Sequence, residues 1–178
     1  MRTPQYIWLG ICVMVGILWV FLVQSWLFLN LFPGLLVGPG LDLQDYLQTG
    51  SSPSFMILWL SCITALLSWI FITANARPRN SDEVRQMQPL WWLAACILVI
   101  MGWLYHLFFT VFLWQVRGES PTGNSGMFYY PLPPGGWLII MVFVIFDVAL
   151  LFWLPTLLAT PRTYRFVVPG AVRILGGR

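Results

Sequence analysis

Charge is what this sequence has least of. Lysine is missing altogether, aspartate and glutamate together number 6, histidine occurs once, and charged residues make up 8% of the 178-residue chain, against about a quarter in an ordinary soluble domain. A chain this poor in charge cannot solvate the surface of a self-standing soluble enzyme or present the basic face of a nucleic-acid binder. Cysteine is scarce as well. Cys12, Cys62 and Cys96 fall one in each of three apolar runs, with no CxxC pair, which excludes a disulfide framework or a thiol-oxidase pair; the expectation is three small buried hydrophobes. HExxH, GxSxG, a Walker loop and GxGxxG are all missing, as is the second histidine of a bis-histidine haem. The expectation is a protein that is not an enzyme.

What is there is hydrophobic: 59% of the residues are apolar and 17% aromatic, with a mean hydropathy of +0.80. Four apolar runs, residues 7–32, 54–74, 90–114 and 136–159, each reach the roughly 20 residues that cross a hydrocarbon core as a helix. The sequence therefore predicts an all-α integral membrane domain, an antiparallel four-helix bundle covering residues 1–178. The spans are too long and too uniformly apolar for the alternating strands of a membrane barrel. Eight of the nine arginines (Arg2, Arg77, Arg79, Arg85, Arg162, Arg165, Arg173 and Arg178) fall on one side of such a bundle and Arg117 alone on the other, so both termini are expected in the cytoplasm or its equivalent. The formal charge of +3 is then a signal of topology. Arg162, Arg165 and Arg173 in the tail, residues 160–178, are expected to anchor it at the membrane surface beside anionic lipid.

The connections differ in kind. The inner one, residues 75–89, is polar and reads as a solvated turn, with Pro89 suited to the start of the third helix. The outer ones, residues 33–53 and 115–135, are rich in glycine and proline and read as stiff segments lying along the membrane face. Leu43, Tyr46 and Leu47 in the first of them have the spacing of a short interfacial helix. Pro33, Gly34 and Leu35 after the first run do not make a small-x-small cleavage site, so that helix is expected to remain.

Inside the spans, Ser61, Ala65 and Ser68 form a small-residue strip that should face another helix, and Ala95 with Gly102 offers a second close-contact line. Eleven tryptophans exceed what an interfacial belt needs. Trp19, Trp59, Trp69, Trp103 and Trp153 lie deep, where each indole N–H requires an acceptor and where the rings suit a flat ligand or the helices of another subunit. Pro155 cannot bond to the carbonyl of Leu151, so a kink or unwinding is expected near the inner end of the fourth helix.

Asp147 is the strongest functional pointer, because a carboxyl halfway along a span costs several kcal/mol unless neutral or paired. It lies roughly 16 Å from the outer end of its helix and His106 about 12 Å from the outer end of the third. Gln24 and Thr64 fall at similar depths, so each helix brings one polar side chain to a common layer. Three readings of that layer stand side by side. In one it is interhelical glue. In another, His106 or Asp147 holds a pigment, chlorophyll or carotenoid, with Trp103 and Trp153 as walls. In the third, Asp147 and His106 relay protons or ions, which would make the chain a small oligomeric transporter or channel.

The last span and tail, FDVALLFWLPTLLATPRTYRFVVPGAVR from Phe146 to Arg173, with the tryptophan-rich spans and proline-rich outer loops, resembles the small four-span proteins of cyanobacterial and thylakoid membranes. The resemblance covers about the last quarter of the chain. It implies an auxiliary subunit or assembly factor near photosynthetic or respiratory complexes, in a thylakoid or bacterial inner membrane. Its partners would be the lipid bilayer and other integral membrane subunits, with no nucleic acid. No functional residues follow from it.

Overall fold

The computed structural model describes residues 3–31, 52–76, 78, 80–108 and 134–172. Among them every regular element is helical, and four stretches are long and apolar enough to cross a membrane: Leu9–Phe28, Ser54–Asn75, Ser81–Leu107 and Gly135–Ala159. The first span consists of α1 (Thr3–Leu18), a π-helical turn (Trp19–Val23) and α2 (Gln24–Asn30); the second is α3 (Ser52–Asn75). The third joins α4 (Ser81–Arg85) to α5 (Met87–Leu107). The fourth runs through α6 (Pro134–Val148), a second π turn (Ala149–Trp153) and α7 (Leu154–Ala159), and a 3-10 turn (Arg162–Tyr164) follows. Both outer connections fall outside the described residues almost entirely, and with them the expected helix at Leu43–Leu47.

The third helix begins earlier than its hydropathy suggested. Asn80 is extended, and Asp82 and Glu83 occupy the first turn of α4, where negative charge offsets the partial positive charge of the helix start. The polar stretch expected as a loop over residues 75–89 is therefore helical from Ser81 onward. Pro89 divides α4 from α5, because it has no N–H to offer the carbonyl of Arg85 four residues earlier.

One shared core holds the four spans together. α3 turns Phe55, Leu58, Cys62, Leu66, Trp69 and Thr73 inward at intervals of three and four residues, and α5 turns Trp91, Leu98, Gly102 and His106 inward. The opposite faces are equally apolar and exposed: Leu60, Leu67 and Phe71 on α3, Leu93, Ile97, Ile100 and Leu104 on α5. Such a surface fits hydrocarbon, not water. The backbones meet most closely where side chains are smallest. A Cβ on Gly102 would sit 2.6 Å from Val144 Cγ1 and 3.2 Å from Leu58, and one on Gly16 would strike Leu151 Cδ2. Gly102 thus fills the close-contact role expected of it.

Indole N–H groups lock the lower half of the bundle. Trp69 donates to Thr160 Oγ1 at 2.9 Å and Trp91 to Thr156 Oγ1 at 3.2 Å, while Trp91 stacks on Phe152 with centroids 5.5 Å apart. Trp153 donates to the Pro169 carbonyl at 2.9 Å. The tail, expected to lie flat on the membrane surface, instead folds back and buries Tyr164, Val167, Val168 and Ala171. Four apolar groups gain more by leaving water against the bundle than by facing headgroups.

Candidate functional site: a buried acid and its neighbours

Asp147 is 1% exposed. Its Oδ1 accepts a hydrogen bond from Trp19 Nε1 at 2.7 Å, so one of the deep tryptophans finds its acceptor in the intramembrane acid. The Trp19 ring is held in turn by Phe146 (centroids 4.8 Å apart) and by Phe143 (6.3 Å, nearly parallel). Asp147 Oδ2 is buried with no partner among the described residues. Gln24 lies close enough to act on the carboxyl, yet its Oε1 and Nε2 are buried and neither reaches a partner in hydrogen-bond geometry among the described residues. From α3 Cys62, fully buried, lies within electrostatic reach of the same acid.

The π turn in the first span explains why Trp19 and Gln24 converge. In an α-helix, at about 100° per residue, positions five apart point roughly 140° away from each other. Here the Gln24 N–H bonds to the Trp19 carbonyl, and this i→i+5 closure stacks the two side chains on one face. The second π turn begins two residues after Asp147, with the Leu154 N–H bonded to the Ala149 carbonyl. It lies where Pro155 withholds its bond from the Leu151 carbonyl, so the expected disturbance takes the form of a widened turn. That turn presents Leu151 to Gly16.

His106 is wholly buried but occupies a different layer. Its ring meets Phe55 edge to face at 4.3 Å, and Phe55, Phe28 and Phe143 continue an aromatic plug with centroids 4.8 to 5.8 Å apart. Trp91 of α5 meets Phe152, and Gly102 meets Val144. Asp147 lies on the Phe152 side of the Gly102–Val144 contact, and His106 lies one turn beyond Gly102 on the other. That sets the two about 10 Å apart along the helix axes, and the single layer inferred from depth alone resolves into two.

Thr64 belongs to neither. It is exposed on the outer face of α3 and its hydroxyl bonds to the Leu60 carbonyl of its own helix at 2.9 Å, the usual way a threonine satisfies itself in a membrane helix. The residues named for a pigment site do not all lie together. Both His106 ring nitrogens are buried and have no partner among the described residues. Trp153 is turned to the tail, away from His106. Trp103 is half-buried, and its indole nitrogen, like that of Trp59, has no acceptor among the described residues. No group of three or more His, Cys, Asp or Glu that could hold a metal occurs among the described residues.

At the tail, Arg162 opens the 3-10 turn, Arg165 is half-buried and Arg173 lies outside the described residues. Tyr164 is buried there, and its phenol is pushed above its ordinary value by burial and by the negative charge of Glu83.

The small-residue strip runs along the seam of α3 and α5. Ser61 Oγ lies 3.5 Å from the Tyr105 hydroxyl. Below it, Ala65 and Ser68 form one wall of an open groove of about 210 Å³ whose other wall is Leu90, Leu93, Ala94 and Ile97. No known protein family, curated protein or solved structure matches the chain.

Proposed function

We propose that the chain is a non-catalytic accessory subunit or assembly factor of a larger membrane complex. It is built as an antiparallel bundle with both termini cytoplasmic, in a thylakoid or bacterial inner membrane. The groove along α3 and α5 carries this reading. Its walls place Ala65, Ser68 and Ala94 at the membrane-facing surface, and small residues on such a surface are where a second helix can approach closely, since in lipid apolar area alone gives no driving force. The occupant is a transmembrane helix of another integral subunit. The four-span resemblance adds a photosynthetic complex as the setting.

The test is gentle detergent purification from the native membrane. An integral subunit in fixed stoichiometry is expected, lost when Ala65→Phe and Ala94→Phe fill the groove while the bundle keeps its helical spectrum. A lone monomer, or a partner indifferent to the filled groove, would sink the reading. A second reading, a small transporter working around Asp147, draws on the unpaired Oδ2 beside Gln24. Unchanged proton or ion flux in proteoliposomes carrying Asp147→Asn removes it.

A further inference from the structure

The unpaired polar atoms at the centre of the bundle are complementary in number and kind. Asp147 Oδ2 and both amide atoms of Gln24 are buried and without partners among the described residues, on side chains close enough to interact. A bare carboxylate at this depth is costly, and among the described residues the groups facing it provide no cation to neutralise it. The first span contributes Trp19 and Gln24, α3 contributes Cys62, and His106 of α5 lies beyond the Gly102–Val144 contact, against Phe55.

We infer that Asp147 and Gln24 form an intramembrane proton-binding site, in which Asp147 Oδ2 carries a proton and donates it in a hydrogen bond to Gln24 Oε1. Trp19 Nε1 continues to donate to Oδ1 whether or not the proton is present. An amide suits the remaining oxygen in both states because its donor and acceptor are nearly the same size and exchange places by a half-turn of the terminal torsion. When the proton leaves Oδ2 for water or hydroxide, the O–H···Oε1 bond breaks, the amide turns, and an Nε2–H···Oδ2 bond forms. The number of hydrogen bonds is the same before and after. The π turn is the device that makes this possible, since it alone brings Trp19 and Gln24 to one face of the first span. The site does not depend on whether an ion crosses the membrane, and it fits an accessory subunit as well as a transporter.

Infrared difference spectroscopy of the whole protein in lipid at neutral pH tests it. A carbonyl stretch of a protonated carboxylic acid is expected, displaced by ¹³C-aspartate labelling, absent in Asp147→Asn, and moved to higher frequency in Gln24→Leu, where the acceptor is gone. On raising the pH it should give way to a carboxylate band. The labelled wild-type protein and its response to Gln24→Leu assign the band even where Asp147→Asn does not fold. Absence of any protonated-aspartate band at neutral pH, or a band that Gln24→Leu leaves unmoved, overturns the inference.

Discussion

The side chains around Asp147 and those of the exposed helix faces sit in different solvents, and substitutions should divide accordingly. Trp19→Phe keeps the ring between Phe143 and Phe146 but removes the indole donor to Asp147 Oδ1, and is expected to cost about 0.5–2 kcal/mol, the range of an interhelical hydrogen bond in a membrane. Thr64→Val should stay within about 0.5 kcal/mol, as surface substitutions do, because its hydroxyl serves only its own helix. Gly102→Ala belongs with the costly changes. Its new methyl would press on Val144, a β-branched side chain with little freedom to turn away and a Cγ1 only 2.6 Å from the added carbon, so a loss of about 1–3 kcal/mol is expected from overpacking. Detergent-denaturant unfolding followed by helical circular dichroism ranks the three. Asp147 and Gly102 were legible from residue type and position alone, since a lone acid and a lone glycine in apolar runs are rare enough to carry meaning. Thr64 was misplaced because depth along a helix says nothing about the face a residue occupies. These faces are apolar all round, so no periodicity distinguishes the one turned inward.

Among the elements, the signal of Pro155 proved readable, whereas the break before Pro89 and the π turn of the first span did not. Pro89 and Pro155 each withhold one N–H, and a break at Gln86 and a widened turn before Leu154 follow at the carbonyls left over. Trp19–Val23 contains neither proline nor glycine, and its i→i+5 bonding answers to tertiary contacts of Trp19 and Gln24 that a sequence cannot display. The tail was misjudged for a related reason: its valines read equally well as a membrane-surface patch or as a plug, and only the Trp153–Pro169 bond and the buried Tyr164 decide for the plug. That docking should depend on pH. The Tyr164 phenol is raised above its ordinary value of 10.0, so the folded tail favours the protonated form. Its contribution is complete below about pH 10, where the unfolded phenol is also protonated, and is lost as the pH climbs through the higher folded value. Hydrogen exchange at the Val167 and Ala171 amides, which bond within the folded tail, should accelerate in that alkaline window. Tyr164→Phe should suppress the acceleration; an identical alkaline profile in both proteins would separate the tail from the phenol.

For the molecule as a whole, the decisive quantity is the distribution of arginine about four apolar stretches that all lie within one packed core. The first turns of the third span, α4, carry Arg85, and the tail that plugs the bundle carries Arg162 and Arg165. Trp69 near the end of α3, Trp91 near the start of α5 and Thr156 with Thr160 at the end of the fourth span are tied by hydrogen bonds, so these basic segments gather at one end of the core. Moving a guanidinium across hydrocarbon is unfavourable at every stage of insertion, which predicts that the end that gathers them faces the cytoplasm. The chain offers a clean way to test this, because its native cysteines lie within the apolar stretches. With these replaced by alanine or serine, single cysteines at Asn80 and Thr163, both exposed, should react with a membrane-impermeant maleimide only in inside-out vesicles or after permeabilisation. A cysteine at Thr122, in the second outer connection, should react in intact right-side-out cells or vesicles. Labelling of Asn80→Cys and Thr163→Cys from opposite sides would break the four-span topology itself, whereas labelling of both from the outside would preserve the bundle and reverse its orientation. In that second case the arginines would have been placed by partner subunits and not by the insertion machinery.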